Sequence, residues 1–170
     1  MALVVKQPGV MAMGEIAGRR MAAEIDGDFV VFLIGARFNN KLELLRSVID
    51  LGGRKGMKHM LDYLVARPEK GLLAYEMGFP TIVQYWRSFD HLEAFARDKD
   101  DPHLEIWRQY WRRVGRNDRT GIWHETYLVR AGQYEAVYGN MPPHGLGKAG
   151  RLVPMSESSR ARDRLGALVS

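Results

Sequence analysis

A ten-residue apolar run, FVVFLIGARF at residues 29–38, is the feature that most restricts how this chain can fold. Asp28 stands directly before it. The run is far shorter than the roughly 20 apolar residues of a membrane-spanning helix. Its length and composition favour a strand that is buried on both faces or lies at an oligomer interface. We therefore predict the first core strand here.

The residues after this strand predict a helix. Asn39 or Asn40 can cap it, because a short amide side chain accepts a hydrogen bond from a backbone N–H of the first turn. Apolar residues then keep helical spacing along Leu42, Leu45, Ile49, Met57, Met60, Leu61 and Leu64. Gly52 and Gly53 are expected to break this segment into two helices.

A hairpin and a short helix come next. The ARPEKG turn leads to a strand at Leu72–Met77, and Gly78, Phe79 and Pro80 connect it to a second strand at Thr81–Arg87. Ser88 is a good N-cap for the helix that follows. The apolar and aromatic residues spaced to pack from that helix are His91, Leu92, Phe95 and Ala96.

His103 lies near the start of the next predicted helix, since Asp101 and Pro102 are typical of a helix N-terminus. It shares one helical face with Trp107, Tyr110, Trp111 and Val114, which we expect to be buried. Gly115 is a plausible end for this helix, and a turn at Asn117 and Asp118 follows.

The last long predicted strand, Thr120–Val129, carries the second histidine of interest, His124. Strand alternation points His124 the same way as Ile122, Thr126 and Leu128, and points Trp123, Glu125, Tyr127 and Val129 the other way. A helix packed on this sheet would bring His103 and His124 to opposite sides of one cavity. Another strand is expected at Tyr134–Tyr138.

This order of elements predicts an α+β protein of the ferredoxin-like βαββαβ plan, an antiparallel sheet with helices on one face. Large apolar side chains on both strand faces predict a homodimer whose two sheets face each other as a dimeric α/β barrel. We divide the chain into an irregular N-terminal arm at 1–27, the barrel domain at 28–146 and a flexible basic tail at 147–170.

Composition excludes several functional classes. The chain has no cysteine, which rules out disulfides, thiolate metal sites and cysteine nucleophiles. Its net charge is +5, but residues 147–170 hold five basic and two acidic residues, so most of the excess lies in the tail. We therefore expect no nucleic-acid partner. No uncharged apolar run reaches 18 residues and the N-terminus lacks a signal-peptide pattern, so we also expect no membrane partner and a cytoplasmic location.

The motifs QYWRSFDHLEAFARD, PHLEIW and GIWHETYLV resemble the dimeric α/β-barrel proteins that are described as monooxygenase-like. The longer segment GIWHETYLVRAGQYEAVYGNMPPHGL is similar to the DUF4188 family of that superfamily. The resemblance covers roughly Met21–Gly150. It implies the ferredoxin-like fold and a small-molecule substrate.

The tryptophan-rich strand, the helix with a histidine and the later strand with a histidine before a glutamate also resemble the haem-containing aldoxime dehydratases. This resemblance implies haem b as cofactor, His103 as the axial iron ligand and His124 as a distal acid/base. It implies a small organic substrate with an N–O or related bond. A neutral imidazole is a good axial donor, and Trp107 and Trp111 suit a flat apolar macrocycle. The alternative is that neither histidine has a functional role. His103 then only caps or packs its helix, and His124 is a buried histidine that is hydrogen-bonded to a neighbouring hydroxyl.

Further candidate residues surround these two. Arg87 is a candidate for a haem propionate or a substrate carboxylate, although a salt bridge is its commoner use. Tyr127 and Tyr138 can offer hydroxyls to a substrate or pack across strands. Asn140 starts a loop, NMPPHG, that either covers the barrel or simply reverses the chain. Glu125 is expected to pair with Arg87 or Arg113.

Two other functional classes stay open. One is a cofactor-independent monooxygenase in which a deprotonated aromatic substrate reacts with oxygen itself, with His124 essential. The other is a ligand-binding protein without turnover. The sequence contains no HExxH metalloprotease motif, no Gly-x-Ser-x-Gly elbow and no P-loop, and His59, His91 and His144 lack metal-ligand spacing.

Overall fold

The computed structural model describes residues 18, 20–53, 56–114, 118–155, 160–161 and 165. They belong to two compact units, one of Val30–Tyr127 and one of the residues before and after it. In chain order the strands are β1 (Met21–Glu24), β2 (Phe29–Phe38), β3 (Leu72–Met77), β4 (Thr81–Trp86), β5 (Thr120–Val129), β6 (Val137–Tyr138) and β7 (Arg151–Pro154), and the helices are α1 (Leu44–Asp50), α2 (Met57–Val65), α3 (Phe89–Arg97), α4 (Pro102–Val114) and α5 (Leu146–Ala149). Within this part of the chain, no helix has the length and apolar composition to cross a membrane.

The unit of residues 30–127 is built on a four-stranded sheet with the order β3-β4-β2-β5. β2 and β3 both pair antiparallel with β4, and the registers place Val30 and Leu72 opposite Trp86. Helices α1 and α2 connect β2 to β3, and α3 and α4 connect β4 to β5. This arrangement confirms the predicted ferredoxin-like plan of an antiparallel sheet with helices on one face.

One face of this sheet carries the hydrophobic core. The buried core residues are Val30, Met60, Leu61, Leu64, Leu72, Trp86, Leu92 and Phe95, which come from the sheet and from α2 and α3. Phe32 and Ile82 pack against them from β2 and β4. Because neighbouring residues of a strand point to opposite faces, Leu33 and Val83, which are paired in register, lie on the other face.

Gly35 and Trp123 are close neighbours on that other face. A Cβ atom placed on Gly35 would lie 2.5 Å from the Trp123 indole Nε1, a distance that real Cβ atoms do not reach. The missing side chain at Gly35 therefore lets the indole lie directly against the backbone of β2.

Several predicted element ends are confirmed. The Asn40 side chain accepts a hydrogen bond from Leu42 N at 3.0 Å, and Ser88 caps α3 by accepting from His91 N at 3.3 Å. α4 begins at Pro102, and β5 has the predicted bounds. The strand predicted at Tyr134–Tyr138 is reduced to β6, and the Tyr134 hydroxyl accepts instead from Ile25 N at 2.8 Å.

The second unit contains a three-stranded sheet with the order β6-β1-β7. β1 pairs antiparallel with both neighbours, and Arg151 on β7 bonds Glu24 at 2.8 Å and Asp26 at 3.0 Å. The segments interpreted as an irregular arm and a flexible tail thus contain strands at residues 21–24 and 151–154. Residues 1–17 and 19 of the arm and 156–159, 162–164 and 166–170 of the tail lie outside the described residues, as do Gly115 and Asn117, where a helix end and a turn are predicted.

The prediction of one buried face on α4 is wrong for Trp111. Tyr110 and Val114 are buried, but the Trp111 side chain is 53% exposed. The apolar residues at helical spacing before and along α1 are also exposed, and α1 instead buries Ser47 and Asp50.

Candidate functional site

The His103 imidazole is held in one orientation by the end of the preceding helix. It lies half-buried in the first turn of α4, and its Nδ1 is 3.0 Å from the carbonyl oxygen of Ala96. A carbonyl can only accept, so Nδ1 carries the proton and Nε2 of the neutral ring keeps its lone pair. Burial lowers the pKa of His103, and the bond to Ala96 opposes this only in part. The ring is therefore neutral at pH 7, which is the state that binds metal.

Aromatic rings continue from His103 along α4. The His103 ring centroid lies 5.6 Å from that of Phe95 and 6.4 Å from that of Trp107, whose plane is within 12° of parallel. Trp107 contacts Trp111 edge to face at 5.6 Å. The structure therefore places the three predicted cofactor residues of α4 in one continuous row, although the outer indole is half exposed.

His124 faces the helix-covered side of the sheet. Its exposed ring lies 5.5 Å from the ring of Phe32, which packs against the core cluster that includes Phe95. The His103 ring contacts the same Phe95. Both predicted histidines are thus on one side of the sheet, as a shared site requires. Their meeting across one cavity remains a prediction.

Glu125 and Tyr127 lie on the opposite face of β5. The Tyr127 hydroxyl donates to Glu125 Oε2 at 2.5 Å, and this bond raises the pKa of Tyr127. Glu125 thus takes Tyr127 as a partner, where the sequence predicted Arg87 or Arg113. Strand alternation directs Tyr127 away from the side that His124 occupies.

Arg87 is exposed at the end of β4, and its Nη2 lies 3.4 Å from the carbonyl oxygen of Pro68. Its guanidinium is thus directed at the turn before β3.

In the second unit, the Tyr138 hydroxyl donates to His144 O and accepts from Gly147 N, both at 2.9 Å. Tyr138 therefore fixes the loop in which Asn140, exposed with a positive φ of 52°, makes the turn.

A partly buried polar cluster beside α1 was not predicted from the sequence. Arg119 forms ion pairs with Glu43 at 3.1 Å and with Asp50 at 3.4 Å, and Ser47 between these two carboxylates in the sequence is fully buried. The hydroxyl oxygens of Ser47 and Thr120 are buried without a hydrogen-bond partner. The signal was present as polar residues at positions 43, 47 and 50, because this spacing places them on one helical face.

Asp101 was assigned only a capping role, yet it is 3% exposed and binds two other elements. Its carboxylate accepts from the Tyr63 hydroxyl at 2.5 Å and from Lys70 Nζ at 2.8 Å. These bonds tie the start of α4, and with it His103, to α2 and to the turn before β3.

The described residues contain no group of three or more histidine, cysteine, aspartate or glutamate side chains that could hold a metal ion. A haem iron needs only a single axial imidazole from the protein. The donor chemistry of His103 fits that requirement.

Two known proteins were found to be similar to this chain. It is 28% identical over 153 residues to monooxygenase af470 of Aspergillus fumigatus, in a match that covers 85% of this chain and 54% of the relative. A crystal structure of an aldoxime dehydratase in complex with butyraldoxime superimposes with a TM-score of 0.62 and 17% identity, and covers 84% of this chain and 42% of that chain. The chain therefore spans about half the length of each, and the structural likeness shows the fold alone.

The DUF4188 resemblance and the dimeric-barrel placement remain predictions. The sequence pattern of the monooxygenase af470-like family matches residues 29–146, which is more than half of the chain and includes both histidines. This chain belongs to the monooxygenase af470-like family.

Proposed function

We propose that this chain is a haem-dependent enzyme acting on a small organic molecule with an N–O or related bond, with His103 as the iron ligand and His124 as the acid/base. The orientation of His103 is the observation that carries the proposal. Ala96 fixes the proton on Nδ1 and leaves Nε2 as donor. The structural neighbour supports the proposal, because it is an aldoxime dehydratase in complex with butyraldoxime.

Haem, when bound, supplies an iron with an open position for a substrate heteroatom or oxygen. The residues that would hold it are His103 through Nε2 and the indoles of Trp107 and Trp111 through apolar contact. Arg87 is the candidate partner for a propionate. The bond between Nδ1 and Ala96 O restricts rotation of the imidazole, so the donor atom keeps its direction.

His124 handles the proton in this proposal. An imidazole can both give and take a proton near neutrality. On the helix-covered side of the sheet, beside Phe32, it would deliver a proton to a departing hydroxyl. Tyr127 is not a substrate contact in this proposal, because it lies on the face of β5 opposite His124 and bonds Glu125. The substrate roles of Tyr138 and Asn140 stay predictions from the sequence.

A visible absorption spectrum tests the ligand assignment. Purified protein reconstituted with haem b should show a Soret band that is lost or strongly shifted in His103→Ala. His59→Ala, which changes an exposed histidine on α2, should keep the band. A wild-type protein without a Soret band, or a band that His103→Ala leaves unmoved, would overturn the proposal.

His124→Ala tests the acid/base assignment separately. It should keep the Soret band and lose about 10²- to 10⁴-fold in turnover, the usual contribution of a general acid or base. Butyraldoxime is the first substrate to try, because the structural neighbour binds it. Full turnover in His124→Ala would remove this residue from the mechanism.

A cofactor-independent monooxygenase is the second candidate, and the monooxygenase relative favours it. In this case a deprotonated aromatic substrate reacts with oxygen, with His124 as the base. The colourless protein would then consume oxygen, His124→Ala would abolish the reaction, and His103→Ala would leave it largely intact.

A further inference from the structure

The short helix α1 has its polar and apolar faces in the reverse of the usual orientation for a surface helix. Its polar side chains face the protein, where Ser47 is fully buried and Asp50 is 7% exposed. Its apolar side chains Leu45 and Ile49 face water, with exposures of 81% and 61%, and Leu42 in the single helical turn just before α1 is 97% exposed. A surface helix normally has the reverse pattern, because exposed apolar area costs about 25 cal/mol per Å².

Ion pairs hold α1 in this orientation. Arg119 bonds both Glu43 and Asp50, and Arg113 Nη1 donates to the carbonyl oxygen of Ile49 at 3.0 Å. Rolling the leucines inward would separate the buried Asp50 carboxylate from Arg119. The apolar face is therefore fixed toward the outside.

Arginines outnumber carboxylates beside this apolar face. The exposed arginines are Arg46 on α1 and Arg108, Arg112 and Arg113 on α4. Arg46 pairs with Glu43 and Arg112 pairs with Glu105, so the arginines outnumber these two carboxylates and positive charge is in excess. Exposed leucines with arginines beside them are typical of helices that lie in the interface of an anionic bilayer.

The size of the face argues against a second copy of the chain as its occupant. Residues 41–50 span about 15 Å at 1.5 Å per helical residue. A stable protein dimer buries roughly 800 Å² on each partner, which needs a much larger surface. A bilayer surface accepts a small apolar insertion when basic residues add attraction to its headgroups.

We propose that this face, defined by Leu42, Leu45 and Ile49, docks the protein on anionic phospholipid membranes. The expected absence of a membrane partner rested on the lack of a spanning segment, and surface docking does not need one. The inference is independent of the proposed haem chemistry.

Vesicle sedimentation tests the proposal on the whole protein. Wild type should sediment with phosphatidylcholine vesicles that contain phosphatidylserine, and much less with pure phosphatidylcholine. The double variant Leu42→Ser, Leu45→Ser should bind the anionic vesicles at least about a hundredfold more weakly, roughly tenfold for each leucine that no longer enters the bilayer. Arg108→Gln should weaken binding about fivefold.

Val65→Ser is the matched control, since Val65 is also 61% exposed but lies on α2. It should bind vesicles as wild type does. The replaced leucines are exposed, so the double variant should keep the wild-type thermal unfolding curve, and lost binding then reports the surface. Wild type that ignores anionic vesicles, or a double variant that binds them equally well, would overturn the proposal. A double variant that converts a dimer to a monomer would overturn it too, in favour of a second copy.

Discussion

At the scale of single residues, the orientation of His103 has a consequence for pH. Burial lowers the pKa of His103 in the folded protein, whereas the unfolded chain titrates near the ordinary value of about 6.5. Above that value both states are neutral and the stability contributed by the neutral ring is fully present. As the pH falls, the unfolded state takes up its proton first, so the free energy of unfolding decreases.

The comparison of wild type with His103→Gln checks this. Glutamine can still donate to Ala96 O but does not titrate in this range. The difference in unfolding free energy between the two proteins should be constant above about pH 7. Between about pH 7 and pH 5, the wild type should lose stability relative to His103→Gln. Urea titrations at several pH values measure it, and parallel curves throughout would contradict it.

Individual residues also show what sequence reasoning can reach. The caps at Asn40 and Ser88 were predictable because a cap depends on the next few residues alone. The hydrogen-bond partner of Glu125 was not predictable, since residues on both faces of a strand are candidates. Its hydroxyl partner stands two residues away on the same face.

At the scale of elements, α4 depends on Asp101 for its position. The carboxylate is buried and accepts from Tyr63 and Lys70, and the bond to Asp101 raises the pKa of Lys70. Asp101→Ala leaves both donors without this acceptor. We expect it to lower the unfolding free energy by roughly 2 kcal/mol, the usual worth of a hydrogen bond to a charged group, since Lys70 is partly exposed and keeps Asp98 as a partner.

Urea denaturation measures this effect, and Asp100→Ala is the control. Asp100 is the exposed neighbour of Asp101, so its replacement should change stability little. Equal stabilities for the two variants would show that the buried contacts do not anchor the helix.

The order and bounds of the elements were largely predictable, because apolar periodicity and capping residues are local signals. The orientation of α1 was not. Leucines at helical spacing normally indicate the buried face. The Asp50 carboxylate of α1 faces inward because Arg119, nearly seventy positions further along the chain, pairs with it. The strand pairing of residues 21–24 with 151–154 joins parts of the chain that share no local signal.

At the scale of the whole molecule, the predicted homodimer concerns the sheet face that carries Leu33 and Val83. These residues are paired in register and lie opposite the helix-covered face. If two sheets meet through this face, Leu33→Glu places a charge in the interface. The dissociation constant should then rise at least about thirtyfold, as for a residue at the centre of an interface.

Light scattering during size-exclusion chromatography measures the mass of each variant. Val65→Glu on α2 is the control for an added exposed charge and should keep the mass of wild type. Identical masses for Leu33→Glu and a dimeric wild type would place the contact elsewhere.

The contact between Gly35 and Trp123 ties two distant positions to one another during evolution. Any larger residue at 35 would push the indole off the strand, while a small residue at 123 would leave that glycine free to vary. Among descendants of this sequence, the two sites should therefore covary, and a change at 35 should be tolerated only after, or together with, a change at 123.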